Sequence, residues 1–391
     1  MMVVSSVPKI LFPFAGETKG GSLHSALMLI MKLRDFGIDA QAVCHGPGYA
    51  FDEAVRVGAP IISLPGFGRA KENRDRSDGL RAANILSMRH VGSVLRKERP
   101  TLIHLNEKRM IRTWSVPARL LRVPLLIHWR SNYTPSWSVD LGLCMAQQVV
   151  SISQFSSEAL PRWARKKNFV IYNPVNAPPG GSSIQHSRAA KRLSLGIDDD
   201  AVLVGCFTNF SVRKRPHLFL EVIQRLRSTH GKKIYGLLCG DVTPPADKRF
   251  LTMVETEDWS SRVFMPGYVH DAIAWMSACD VILAPALSEP WGRTLVEAQS
   301  LGIPVVAAAD GGHLESIQNG VDGMLIASDS PDDWAHAVAR LIDEEQLRAA
   351  IIENGQASAA ALSLDRHASA VVDVYRKLVG SKIGFADYIE Q

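Results

Sequence analysis

Residues 279–326 read CDVILAPALSEPWGRTLVEAQSLGIPVVAAADGGHLESIQNGVDGMLI. Val281–Pro285 is an apolar run short enough for a buried strand. A loop of Ser, Glu, Pro and Gly follows. Thr294–Leu301 then places Leu295, Val296, Ala298 and Leu301 at helical spacing. Gly302 stops that helix, and Ile303–Ala308 is a second buried strand. Strand, loop, helix, strand is the α/β unit of a parallel sheet with helices on its faces. Ligands of such sheets sit beyond the carboxyl ends of the strands, and the loop Leu287–Arg293 lies at that edge.

Two glutamates mark this edge. Glu289 is on the loop and Glu297 is in the first turns of the helix, with Gly292 between them. Gly292 lets a ligand approach the backbone closely, and the N–H groups around Gly292, Arg293 and Thr294 suit a phosphate. A carboxylate one turn into a helix can accept both hydroxyls of a ribose. The loop carboxylate can grip hydroxyls of a second sugar. This chemistry draws a nucleoside diphosphate bonded to a sugar. The competing reading is that both glutamates merely complement the helix dipole.

The whole stretch is more specific than its glutamates. SEPWGRTLVEAQSLGIPVV, followed by GGHLESIQNGVDGMLI, closely resembles the donor-site signature of the family 4 retaining glycosyltransferases, of the GT-B fold. The resemblance covers most of the chain, strongly in the second half and loosely in the first. It implies two doubly wound, Rossmann-like domains facing a central cleft. An acceptor-side domain is expected over 1–178, a linker over 179–190, a nucleotide-sugar-binding domain over 191–365 and a helix crossing back to the first domain over 366–391.

Composition agrees with two domains. The chain has 391 residues, too many for one ordinary core. No apolar run reaches the roughly 18 residues of a spanning helix. The start, MMVVSSVPKILFPF, has no charged n-region and no small-residue cleavage site, so no signal peptide is expected. Five scattered cysteines without a C-x-x-C read as reduced core residues of a cytoplasmic protein. Residues 1–190 hold 25 Lys and Arg against 12 Asp and Glu, a balance of +13; residues 191–391 hold 19 against 27, a balance of −8. A basic first half suggests an acidic partner: a membrane surface, an anionic lipid-linked acceptor or nucleic acid. A solvated basic face is the competing reading. Peripheral attachment to the inner face of the membrane extends the membrane reading; with the resemblance in view, nucleic acid is not expected.

Further sites lie along the chain. Gly20 and Gly21 precede a helix over about Leu23–Phe36, where their N–H groups could meet a diphosphate or admit an acceptor; a plain turn is the alternative. Residues 66–81 read as a charged surface loop, Asn106–Arg112 as a loop at a strand end, and 176–190, rich in Pro, Gly and Ser, as a linker. Arg213, Lys214 and Arg215 stand before a helix whose dipole they oppose, which calls for an anion nearby. Asp198-Asp199-Asp200 reads as a turn rather than a metal site.

The resemblance assigns roles to several of these residues. Gly20 and Gly21 border the reaction centre. Lys214 holds the donor phosphates, while Asn209 stands where the family usually has a second phosphate-binding arginine, and Arg213 could replace it. Gly267 and Tyr268 lie against the base. Glu297 holds the ribose and Glu289 the sugar hydroxyls, so that Lys214 and Glu289 are the catalytic pair. Either His128 or Arg130 touches the sugar. The implied reaction moves a hexosyl-type sugar, with retention, to a saccharide or lipid-linked acceptor hydroxyl in polysaccharide, lipopolysaccharide or glycolipid assembly. The nucleotide diphosphate sugar is co-substrate, and no metal or other cofactor is needed. Two alternatives are a nucleotide-sugar epimerase on the same fold, for which only His128 and His313 offer proton-transfer groups, and a non-catalytic nucleotide-sugar-binding module, which Asn209 alone favours.

Overall fold

A computed structural model of the chain describes residues 7–65, 78–176, 180–198, 200–231, 233–243 and 245–380, with the side chains of 78–85 left aside. The expected charged loop at 66–81 falls mostly outside these residues. The chain divides into unit 1, Met1–Pro174 with Leu364–Gln391, and unit 2, Val175–Ser363.

Unit 1 is built on seven strands: β1 Lys9–Ala15, β2 Asp39–His45, β3 Ile61–Leu64, β4 Leu102–Leu105, β5 Leu125–Trp129, β6 Gln148–Ser151 and β7 Asn168–Val170. They lie in the order β3-β2-β1-β4-β5-β6-β7, and every pair is parallel. The strands are apolar on both sides because helices cover both faces. Ile10, Phe12 and Phe14 pack with the helices Gly21–Asp35 and Leu364–Val379. Leu11, Ile103 and Leu105 pack the other way, with the helices Asp78–Glu98 and Lys108–Leu120. The helix Leu364–Val379 comes from the far end of the sequence and buries Ala368, Val371, Val372, Val374 and Tyr375 in this core.

Unit 2 has six strands: β8 Val202–Phe207, β9 Ile234–Cys239, β10 Val263–Gly267, β11 Val281–Ala284, β12 Val305–Ala308 and β13 Met324–Ile326. Their order is β10-β9-β8-β11-β12-β13, again all parallel. Val202, Val204 and Cys206 pack with the helices Pro216–Thr229 and Pro331–Asp343. Leu203 faces the helices Ala272–Ser277 and Arg293–Ser300.

Each sheet reverses its strand order once, between β1 and β4 in unit 1 and between β8 and β11 in unit 2. Chains leaving those strand ends diverge to opposite faces, and the crevice between them is where doubly wound sheets take ligands.

Three local readings are corrected. Residues 181–195 are a helix, Gly181–Leu195, rather than part of a linker. Its anchoring side chains are arginines, which an apolar pattern does not reveal. Arg188 donates to the carbonyls of Ser277, Ala278 and Cys279, and Arg192 to those of Ala278, Asp198 and Ala201. Both also pair with Asp280. Second, Lys108 opens a helix to Leu120 where a loop is expected. Met110, Ile111, Trp114 and Ala118 form its buried face, and Pro117 disguises the periodicity. Third, Cys144 is exposed, while the other four cysteines are buried. No helix among the described residues is long and apolar enough to cross a membrane.

Candidate active site

At the unit 2 crevice, β8 ends at Phe207 and the chain passes through one 3₁₀ turn, Val212–Lys214. Arg215 then takes the left-handed conformation, φ 50°, before the helix Pro216–Thr229. A non-glycine residue there is uncommon, and its side chain is tied down. Arg215 is buried, its Nε donates to the Pro285 carbonyl at 2.6 Å, and it pairs with Asp329.

This turn delivers two cations to the loop after β11. Lys214 Nζ lies 2.6 Å and Arg213 Nη1 2.7 Å from the same oxygen, Glu289 Oε2. Arg213 Nη1 also donates to the carbonyls of Leu287 and Ser288, at 3.1 and 3.3 Å. Burial pushes the Glu289 carboxyl upward. The adjacent Lys214 and Arg213 charges and hydrogen bonds outweigh it and hold the group at about 2. Glu289 is thus ionised. Among the described residues no hydrogen bond ends on its Oε1.

The loop is held against the segment after β12 by close backbone contact. Gly312 N–H donates to the Glu289 carbonyl at 2.7 Å, and Ser288 N–H to Asp310 Oδ2 at 2.7 Å. A Cβ on Gly312 would stand 2.5 Å from the Pro290 carbonyl oxygen, so glycine is required there. Gly292, φ 92°, starts the helix Arg293–Ser300, which no side chain caps. Its Cα sits against His313: a Cβ would lie 2.7 Å from His313 Cδ2. His313 is buried, and its Nδ1 donates to the Ala308 carbonyl at 3.2 Å. Burial lowers its pKa to about 4, so the ring is neutral. One turn into the helix, Glu297 pairs with Arg293 Nε at 2.8 Å. At the end of β10, the Gly267 carbonyl accepts the Gly240 N–H at 2.9 Å, and Tyr268 sits edge-on to His270.

Unit 1 has a cavity of about 370 Å³ at its own switch point. Thr18, Lys19 and Ser22, on either side of Gly20 and Gly21, line it together with Glu107, Lys108 and Arg130. Gly20 has φ 98° and starts the helix Gly21–Asp35. Behind the cavity lies a buried chain of rings. Arg130 can only donate, so Nδ1 of His128 accepts from Arg130 Nη2 at 3.2 Å. His104 Nε2 meets the same nitrogen at 3.1 Å, and Tyr375 O–H donates to His104 Nδ1 at 2.5 Å. Arg130 also donates to Asn106 Oδ1 at 2.9 Å and to Asn173.

Two family models account for most of the chain. Glycosyl transferases group 1 matches residues 187–358, and glycosyl transferase 4-like domain matches residues 20–174. The chain belongs to the group 1 glycosyltransferases. A D-inositol 3-phosphate glycosyltransferase of Saccharomonospora viridis is 29% identical over 208 residues, which is 51% of this chain and 48% of that protein. The chain spans about half the length of the curated relatives it matches. Among solved structures, Anabaena Alr3699/HepE in complex with UDP and glucose superposes with a TM-score of 0.77 at 21% identity, covering 95% of this chain and all of that one. WaaG, a glycosyltransferase involved in lipopolysaccharide biosynthesis, gives 0.67 at 15%, covering 95% and 100%. Both units have the Rossmann-like parallel sheets of the GT-B fold, the fold class expected from the sequence.

In unit 2, Arg213, Lys214 and Glu289 meet directly, and Arg293 and Glu297 pair in the helix beyond Gly292. Asn209 is exposed and its Oδ1 accepts from Ser211 Oγ at 2.7 Å. Arg130, just after β5, lines the unit 1 cavity, whereas His128, within β5, is 1% exposed and bonded behind it. Sequence reasoning missed Asp310 and Glu107, and it grouped Arg215 with the anion-binding cations although the side chain holds the Pro285 carbonyl and Asp329. Arg215 was hidden within a run of three cations. The Gly-Gly of DGGH was the available signal that the Asp310–His313 segment touches the Glu289 loop.

Proposed function

We propose that the chain transfers a sugar from a nucleotide diphosphate donor held by unit 2 to an acceptor hydroxyl, retaining the anomeric configuration and without a bound metal. The observation that supports this most is the convergence of Lys214 and Arg213 on one oxygen of Glu289 at the β8/β11 switch point. Two cations beside a helix start are what a departing diphosphate needs. As the bond from the anomeric carbon to the phosphate oxygen breaks, negative charge grows on that oxygen beside Lys214. The acceptor oxygen bonds to the carbon on the same face, and its proton passes to the leaving phosphate. Glu289 stays ionised; Oε1 accepts sugar hydroxyls while Oε2 keeps the cations in place. Glu297 accepts the ribose hydroxyls. A saccharide or lipid-linked acceptor of polysaccharide, lipopolysaccharide or glycolipid assembly is the proposed partner.

Calorimetric titration with UDP, GDP, ADP and their hexose conjugates tests this, with UDP-glucose tried first because HepE is known in complex with it. One nucleotide is expected to bind, and Lys214→Ala and Glu297→Ala each to weaken it by about tenfold or more, about 1.4 kcal/mol. Equal binding by wild type and variants would sink the assignment.

A further inference from the structure

The loop that carries Glu289 bends through a residue in an uncommon backbone state. Ser288 has φ 47°, in the left-handed region that glycine takes freely and other residues rarely adopt. Four non-glycine residues have positive φ among the described residues, and two of them, Arg215 and Ser288, border the unit 2 crevice. Residues in such states persist where their neighbours hold them, and they gather at functional sites. Arg215 is held by its own side chain, through the Pro285 carbonyl. Ser288 is held by another residue. Its N–H donates to Asp310 Oδ2 at 2.7 Å, from the segment after β12.

The backbone on either side is tied by different partners. Leu287 N–H donates to the Arg213 carbonyl at 3.0 Å, and Gly312 N–H to the Glu289 carbonyl at 2.7 Å. Asp310 therefore secures the one residue of this stretch whose conformation is strained, immediately before Glu289. Rotation at Ser288 would swing the next peptide plane and carry the Cα–Cβ bond of Glu289 with it. A carboxylate accepting an N–H makes a charge-assisted bond, stronger than one to a neutral acceptor. Asp310 forms no ion pair among the described residues, so its carboxylate is not engaged by a cation there.

We propose that Asp310 is a positioning residue for the donor sugar: by holding Ser288 in the left-handed conformation it aims Glu289 Oε1 at the sugar hydroxyls, while Oε2 stays with Lys214 and Arg213. The two cations stand on a turn that Arg215 anchors separately, so the diphosphate half of the donor does not depend on Asp310. Asp310 thus governs how well the site tells a nucleotide sugar from the bare nucleotide. The proposal rests on the donor reading of unit 2.

The test is calorimetric titration of the full chain with UDP and UDP-glucose, GDP and GDP-mannose, and ADP and ADP-glucose. The readout is the ratio of affinities for the sugar conjugate and its bare nucleotide. Asp310→Ala is expected to weaken the conjugate by about tenfold and the nucleotide by less than about twofold. A general loosening of the fold would lower the fraction of chain that binds and leave this ratio alone. Asp310→Asn keeps an oxygen for the Ser288 N–H and should hold the ratio within about threefold of wild type. Glu289→Ala should show the same selective loss, and Asp310→Ala added to it should change the ratio no further, as expected of residues that act through one another. Ser288→Gly added to Asp310→Ala should recover most of the ratio, because glycine takes the left-handed conformation without strain. An Asp310→Ala variant with the wild-type ratio, or one that Ser288→Gly does not repair, overturns the proposal while the donor reading stands. A wild type that binds no nucleotide overturns the donor reading and the proposal with it.

Discussion

Lys214 Nζ stands 2.6 Å from Glu289 Oε2, joining the turn after β8 to the loop after β11. Both side chains are about one-sixth exposed, so the pair is shielded without being sealed from solvent.

Glu289→Gln removes the charge that Lys214 and Arg213 share. We expect about 1–3 kcal/mol lower stability at pH 7, from charge-assisted hydrogen bonds lost in a partly buried site. The sign with pH follows from the depressed carboxyl, about 2 in the folded chain. Its contribution is full above the ordinary carboxyl value of about 4.5 and fades as pH falls toward 2. Urea unfolding of wild type and variant should show a gap at pH 7 that narrows below pH 4.5. A gap that is constant with pH would mean that the ion pair is not its cause.

Three buried histidines set a second acid limit. Burial lowers His45 and His313 to about 4 and His367 to about 3. Folded values below the ordinary 6.5 mean that the unfolded chain takes up protons first as pH falls. Their stabilisation is full above 6.5 and is lost from there down through 4 to 3, by at most about 3 kcal/mol for His45 and His313 and about 5 kcal/mol for His367. Stability should therefore drop between pH 6.5 and 4, before the carboxylates titrate. A flat profile across that window in chemical unfolding would contradict the burial of these rings.

Glu107 runs the other way. Its carboxyl is raised to about 7 in the folded chain, so its environment favours the protonated form. That stabilisation is present below about 4.5 and is lost as pH rises through 7. Glu107→Gln keeps an acceptor for the Ala15 N–H and carries no charge. The variant is expected to match wild type near pH 4.5 and to exceed it by about 1–3 kcal/mol at pH 8. Thermal melts across this range would show the difference grow with pH.

Two glycines separate backbone strain from collision. Gly20→Ala meets no atom within 4 Å and carries only the cost of its backbone conformation, φ 98° and ψ −172°, about 1–3 kcal/mol. Gly312→Ala drives a Cβ to 2.5 Å from the Pro290 carbonyl oxygen and 2.7 Å from the Trp291 Cα, both backbone atoms. It should cost more, about 2–4 kcal/mol, and weaken nucleotide binding by moving the Glu289 loop. Equal destabilisation by the two alanines would deny the close approach.

Legibility followed the kind of interaction. The strands around Glu289 could be read because a parallel strand covered on both faces is an unbroken apolar run. Lys214 and Glu289 were legible as residue types set beside a helix start and on a loop at a strand end. Their meeting was not, since the side chains come from positions 75 residues apart and depend on Arg215 holding an uncommon backbone angle. The helix Gly181–Leu195 was missed because Arg188 and Arg192 anchor it through carbonyl oxygens, and hydrogen bonds leave no periodic trace. The helix Lys108–Leu120 was missed because Pro117 is a helix breaker by type, tolerated here inside a packed face. That His128, inside β5, is buried while Arg130, just past its end, lines the unit 1 cavity could not be read from the sequence, because an unbroken apolar strand gives no sign of which neighbouring polar residue turns outward.

The helix Leu364–Val379 seals the core of unit 1 with Val371, Val372 and Tyr375. A ribosome reaches those residues only after it has made all of unit 2. During synthesis the first unit to emerge is therefore the last to be finished, and its apolar face must wait while unit 2 can already condense. Translation speed and chaperone supply should thus affect the yield of unit 1 more than that of unit 2.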